Sequence, residues 1–385
     1  MFPEFDIRDL HPEIVRYILQ VFGTSFLFSG LVVLLTPRIL KRVSRSGDMT
    51  AVQSAHAREV VRLGGVGLIL GLMTCLVDYS FSDPRFNSLL MICASAFPIM
   101  VVGFLEDTGN HIAPRTRLIF IALSSLVAIL VLDHTVTRVG VYGIDTILSI
   151  WLCSVLFTIF GTVGVVNAFN LIDGLNGLAS FTALFAALCL SWIAFSVGEF
   201  EIVASTLLIA MALIGFLFWN FPSGRIFLGD GGAYFLGHFL VWSAIVIVNS
   251  DMQVSAFAIL LVFFWPVADT VLAIWRRKVL STPHDRPDRL HFHQLVMRFL
   301  EKRIFGRGRR HIANPVATLV LLPFILAPQL AGVYFATNQT GAIGALCGFS
   351  LLFFMTYILG MRFARVMQGR KAALSYEDRE SVAVE

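Results

Sequence analysis

The run ILSIWLCSVLFTIFGTVGVVNA, Ile147 to Ala168, contains no charged side chain. A hydrocarbon core about 30 Å thick is crossed by roughly 20 apolar residues of α-helix. Backbone polar groups in lipid must be satisfied within their own segment, and the pattern does not alternate as a barrel strand would. The run therefore reads as a membrane-spanning helix. Comparable stretches lie near 17–36, 63–80, 88–105, 118–132, 178–197, 202–219, 233–250, 254–274, 314–336 and 341–361. The expected fold is an all-α polytopic membrane protein of about eleven transmembrane helices, with runs 63–80 and 118–132 the weakest. The whole chain agrees: 57% of residues are hydrophobic and 14% charged, with mean hydropathy +0.80. Soluble domains carry about 25% charged residues.

Tyr17 to Leu35 follows acidic residues and lacks a small-residue cleavage site, so it reads as a span rather than a removed leader. Cys75, Cys93, Cys153, Cys189 and Cys347 all fall in apolar runs without a C-x-x-C pair. They read as small hydrophobes, not as disulfides or metal ligands.

Charge sets the orientation. With the N-terminus outside, segments 37–62, 106–117, 169–177, 220–232, 275–313 and 362–385 face inward and hold 25 of the 29 Lys and Arg residues. Arg8, Arg16, Arg85 and Arg138 lie outside. The positive-inside rule then places the N-terminus in the periplasm and the C-terminus in the cytoplasm. One integral membrane domain, 1–385, is expected. Its active-site loops are 37–62, 106–117, 167–177, 220–232 and 275–313, and 362–385 forms a cytoplasmic tail.

Five inward stretches carry residue types suited to phosphate and metal chemistry. In the first, His56, Arg58 and Arg62 run into Gly64-Gly65-Val66-Gly67. Free N–H groups where such a turn opens a helix suit an anion, and close helix packing is the alternative. In the second, Glu106-Asp107 ends an apolar run. Adjacent carboxylates repel unless they share a proton or a cation, and Mg²⁺ takes oxygen ligands of this kind.

The third stretch is NAFNLIDGLNG, residues 167–177. Asn167, Asn170 and Asp173 recur every three residues and align on one helix face. The loop has no Lys or Arg, so topology alone does not explain it, and uncovered polar groups at a bilayer boundary are costly. The fourth stretch runs from Asn220 through Arg225 to Phe227-Leu228-Gly229-Asp230-Gly231-Gly232. Glycines around Asp230 let backbone approach a ligand, and Phe227 offers a flat face to a base or sugar. The fifth combines Arg276, Arg277, Asp285, Arg286, Asp288, Arg289, His291, His293 and Gln294. Arg forks hold phosphate, and His donates to it or carries a proton. Binding of anionic lipid headgroups is the competing reading for Arg303 to Arg310.

Taken in order, these stretches resemble the polyprenyl-phosphate N-acetylhexosamine-1-phosphate transferase family from about residue 20 to 300. The pair NAFNLIDGLNGLA and FPSGRIFLGDGG carries the resemblance. It implies that a lipid phosphate attacks the β-phosphorus of a UDP-amino sugar and releases UMP, with Mg²⁺ required and Mn²⁺ a substitute. Undecaprenyl phosphate, a UDP-N-acetylhexosamine and membrane lipids are the implied partners. Nucleic acid is not expected, and a homodimer is left open. UDP-GlcNAc is the implied donor, with UDP-FucNAc or UDP-QuiNAc as alternatives, and the setting is the first membrane step of a surface polysaccharide at the bacterial inner membrane.

Residue by residue, the resemblance assigns Asp107, Glu106 and Asp173 to catalysis and Asp230 and Asn170 to the metal. Asn176, His291 and His293 match family motifs on the substrate side, and His56, Arg62, Asn167, Phe227 and Arg289 are further substrate-binding candidates. Glu106 stands where relatives have Asp, Asn176 where many bacterial members have Asp, Gln294 where a third His is common, and Val61 where Pro is usual. Two other classes compete. A secondary transporter would place its acids near the bilayer midplane, commonly with inverted repeats, whereas here the acids lie at inward ends. An inactive lipid-binding scaffold would tolerate loss of Asp107 or Asp230.

Overall fold

The computed structural model describes residues 12–43, 60–78, 87–279, 291–306 and 308–382, with 12–13, 38–43, 78, 279 and 363–382 described as helical backbone alone. Among the described residues all regular structure is helical. In chain order the α-helices are α1 (Pro12–Val43), α2 (Gly64–Asp78), α3 (Asn87–Ser95), α4 (Phe97–Asp107), α5 (Pro114–Leu132), α6 (Tyr142–Leu148), α7 (Trp151–Ile172) and α8 (Leu178–Ser196). They continue with α9 (Phe200–Asn220), α10 (Gly229–Ser250), α11 (Ala256–Val262), α12 (Phe264–Val279), α13 (Phe292–Phe299), α14 (Arg310–Tyr334) and α15 (Gln339–Val382). A π-helical turn, Leu300–Phe305, follows α13.

Each of the eleven apolar runs falls on a helix or a bent helix pair. By length and composition, eight helices among the described residues qualify as membrane spans, or ten if two bent pairs each count as one. Those pairs are α3–α4, bent by 50°, and α11–α12, bent by 83°. The stretch near 63–80 becomes α2, apolar but 15 residues long. Proline accounts for the first bend. Pro98 lies in the first turn of α4, where its ring fits a helix start but not a helix interior. The amide of Ile99, displaced from the α3 ladder, donates to the Ser124 hydroxyl at 3.1 Å instead.

Helix α10 is the axis of the molecule, with the whole of its most apolar window buried. Its glycines explain how neighbours come so close. A Cβ built on Gly65 of α2 would fall 2.3 Å from the Gly232 Cα, and one on Gly103 of α4 would fall 2.5 Å from the Gly231 Cα. A Cβ on Gly237 would lie 2.9 Å from the Val166 Cα of α7. Without a hydrophobic driving force between helices in lipid, such small-residue crossings supply the van der Waals contact. Serine and threonine add bonds between helices, as Ser125 with Thr162 at 2.6 Å and Ser95 with His238 at 2.9 Å. The outcome is three helices, α2, α4 and α7, whose ends converge on the N-terminus of α10.

Candidate active site

The first turn of α10 carries Gly229, Asp230 and Gly231, and its exposed N–H groups attract negative charge. The Asp107 carboxylate, at the end of α4, accepts the Asp230 N–H at 2.8 Å with Oδ1 and the Gly231 N–H at 3.0 Å with Oδ2. The next amide back, that of Gly229, lies beside Asp173 and favours its charged form. Gly229 has φ +76°, and a Cβ there would meet the Arg62 carbonyl oxygen at 2.0 Å and Asp107 Oδ2 at 2.6 Å. Only glycine suits that position.

Asp230 projects from this turn toward α7. Its Oδ1 accepts the Asn170 side-chain N–H at 2.7 Å. Asn170 lies in α7 and Asp173 directly follows its last residue, and both side chains neighbour Asp230. Asn167 is half-buried one turn earlier on the same helix. Glu106 forms an ion pair with Arg117 at 3.2 Å through Oε1, while its Oε2 is buried on the side of Asp230. Arg62 is exposed and is an electrostatic neighbour of Glu106, Asp107 and Asp173. Removal from water pushes the Asp173 carboxyl up to about 7; Arg62 and the Gly229 N–H pull it down, and Asp230 pushes it further up.

This donor set fits a hard divalent cation. Asp230, Asp173, the Asn170 side-chain carbonyl and Glu106 Oε2 are all oxygen groups, the kind of ligand such a cation takes. Asp107 has another part. Each of its oxygens accepts one backbone N–H, so it anchors the Asp230 turn.

Several expectations are corrected. The glycine turn at residues 64–67 offers no free amides to an anion, because Gly64 and Gly65 donate to the Phe227 and Leu228 carbonyls at 2.8 and 2.9 Å. Close packing is what those glycines allow. Phe227 is 3% exposed, so its ring is no platform for a base or sugar. Asn176 is 7% exposed and works as a bracket. Its side-chain N–H donates to the Pro222 carbonyl at 2.7 Å, its backbone N–H to Asn314 Oδ1 at 2.7 Å, and its carbonyl accepts from Thr318 at 2.8 Å. The signal for that role lay in Asn314, a polar residue at the start of an apolar run. His56 and Arg289 lie outside the described residues.

His291 and His293 are buried, and both imidazoles converge on a residue the sequence reading missed. Asp269 Oδ2 lies 3.2 Å from His291 Nδ1 and 2.9 Å from His293 Nδ1. Its Oδ1 accepts the Phe292 N–H at 2.9 Å. These three side chains bring ligand atoms within 4.8 Å of one another, but the carboxylate already engages both Nδ1 atoms. A lone acid in the apolar stretch FFWPVADTVLAIW was the available clue, since such a residue needs a named partner.

Fold and site thus define a multi-pass membrane protein with an acidic cluster at one set of helix ends. Residues 89–248 match the model of glycosyl transferase family 4. A probable undecaprenyl-phosphate N-acetylglucosaminyl 1-phosphate transferase of Bacillus subtilis is 29% identical over 286 residues, covering 71% of this chain and 77% of that protein. An undecaprenyl-phosphate alpha-N-acetylglucosaminyl 1-phosphate transferase of Thermotoga maritima is 29% identical, covering 66% and 74%. A decaprenyl-phosphate N-acetylglucosaminephosphotransferase of Mycobacterium tuberculosis is 26% identical, covering 76% of each. Residues 89–248 thus carry the glycosyl transferase family 4 pattern, and the relatives that cover about two thirds or more of the chain are named as polyprenyl-phosphate sugar-1-phosphate transferases.

Proposed function

We propose that this protein transfers an N-acetylhexosamine-1-phosphate, with GlcNAc the first choice, from its UDP derivative to undecaprenyl phosphate and releases UMP. The reading places the reaction on the cytoplasmic face of a bacterial inner membrane, as the opening step of a surface polysaccharide such as O-antigen. The observation that carries it is the gathering of Asp107, Asp173, Asp230, Glu106 and Asn170 around one helix N-terminus, in a chain whose relatives bear the names above. The charge split of the loops supports the orientation.

A phosphate monoester has its second pKa near 6, so the acceptor is already largely dianionic at neutral pH. It needs alignment and charge neutralisation more than a base. Asp230, Asn170 and Asp173 would hold Mg²⁺, or Mn²⁺ in its place. When bound, the cation supplies charge neutralisation for the donor diphosphate. Asp107 fixes the backbone that carries Asp230. Arg62, exposed beside the acids, draws the anionic substrates in. Glu106, held by Arg117, keeps a carboxylate at the edge of the cluster.

The test is UMP release by purified protein given UDP-GlcNAc, undecaprenyl phosphate and Mg²⁺, with UDP-FucNAc and UDP-QuiNAc in parallel. Turnover with one donor that disappears on chelation is the expected result. A protein that releases no UMP from any UDP-N-acetylhexosamine is not this enzyme.

A further inference from the structure

Asp269 is 1% exposed in the middle of α12, and His293 is fully buried. A carboxylate so deeply buried is retained only where hydrogen bonds or charge partners satisfy it. Here the satisfaction is complete. Oδ1 accepts the Phe292 N–H, and Oδ2 stands between the Nδ1 atoms of His291 and His293. A carboxylate oxygen only accepts, so both imidazoles must carry their proton on Nδ1. The two rings stack, with centroids 5.5 Å apart and planes inclined by 27°. The far side of His293 is unusual. Its Nε2 is enclosed and has no hydrogen-bond partner among the described residues, and it faces Gly174, where a Cβ would lie 3.2 Å away. Gly174 follows Asp173 of the acidic cluster, so the unpartnered nitrogen sits under the turn that carries a proposed catalytic carboxylate.

We propose that Asp269 is a positioning residue for the transfer reaction: it fixes His291 and His293 as Nδ1–H tautomers, so that His293 meets the Asp173–Gly174 turn with a bare Nε2 and braces that turn of the acidic cluster. The inference rests on the transferase reading for its reaction and on the Asp269 geometry for its chemistry. It differs from the expectation that these histidines donate to phosphate, because a neutral imidazole donating through Nδ1 has only a lone pair on Nε2. Burial lowers the His293 pKa, against the pull of Asp269, which is consistent with the neutral form. An Asn at position 269 would reverse the arrangement. One amide N–H could donate to an Nδ1 and move that ring's proton to Nε2, as happens when a tautomer-holding carboxylate is replaced by its amide.

The experiment compares wild type, D269N, D269E, H293A and the D269N/H293A double variant. The readouts are UMP release from UDP-GlcNAc, thermal midpoint, and ¹⁵N resonances of labelled histidine. In wild type, the His293 Nε2 resonance, assigned by its loss in H293A, is expected at the unprotonated position. In D269N it shifts toward the protonated one, and kcat/KM falls about tenfold or more. D269E, which keeps the carboxylate, recovers part of that loss and serves if D269N does not accumulate as folded protein. In the H293A background, D269N costs less than about threefold, because residues acting as one unit are not additive. A protonated Nε2 in wild type overturns the proposal. So does D269N activity within about twofold of wild type, or an equal loss in both backgrounds. If wild type itself releases no UMP, the transferase reading falls, and the ¹⁵N comparison still decides what Asp269 does.

Discussion

Asp107 precedes Asp230 by 123 residues, yet its carboxylate accepts the Asp230 backbone N–H at 2.8 Å. One acid therefore presents another. The paired bond to Gly231 makes the contact bidentate, and carboxylates bonded to helix-terminal amides are among the stronger hydrogen bonds. Asp107→Asn keeps the shape but loses the charge and one acceptor. Thermal midpoint and UMP release should both fall, with a stability loss of about 1 kcal/mol, as for a removed helix cap.

Asp230→Asn should separate from that variant. Its side chain supports no helix end, so the midpoint should stay near wild type while UMP release drops by about two orders of magnitude, the scale for a removed charge-stabilising group. Equal midpoint losses in the two variants would contradict the division of labour.

The Asp173 carboxyl titrates near 7 in the folded protein, against an ordinary value of 3.8. Between those values the folded state binds a proton that the unfolded state has lost. The stabilisation is therefore full below about pH 3.8, fades as pH rises through 7, and is gone above it. Melting curves from pH 5 to 8 should show this decline in wild type and a flatter profile in Asp173→Asn. Activity should move the other way, rising through about pH 7 as the carboxylate forms.

The α2–α10 crossing gives a packing test. Gly65→Ala places a Cβ 2.3 Å from the Gly232 Cα, with backbone on both sides and no flexible side chain to yield. Overpacking of this kind costs about 1–3 kcal/mol. The control is Gly164→Ala in α7, where a Cβ meets nothing within 4 Å. Its melting point should be unchanged.

Asn314 Oδ1 receives the buried Asn176 N–H at 2.7 Å. Asn314→Ala leaves that donor enclosed and unpaired, at a cost of about 1–3 kcal/mol. Because Asn176 works as a bracket, the midpoint should fall further than KM for the nucleotide sugar changes.

Much of the site could be read along the chain. The acids stood out because carboxylates at the ends of apolar runs have few bland explanations, and the spacing of Asn167, Asn170 and Asp173 pointed to one helix edge. What each acid does was not readable in the same way. Asp107 and Asp230 are equivalent by residue type and differ only in which backbone amides lie within reach. Asn176 and Phe227 sit in motifs that favour ligand binding, and burial gives them structural work. Asp269 was passed over because its partners, His291 and His293, lie more than twenty residues further on.

Local chemistry, in which hydrocarbon demands apolar helices and water demands charge, was sufficient to specify a multi-span helical protein with acidic, glycine-rich connections. Whether an apolar run is one straight span or a pair bent by 83°, and which nitrogen of His293 carries the proton, depended on neighbours distant in the chain. Hydrogen bonds and close contacts form between surfaces, and only folding brings those surfaces together.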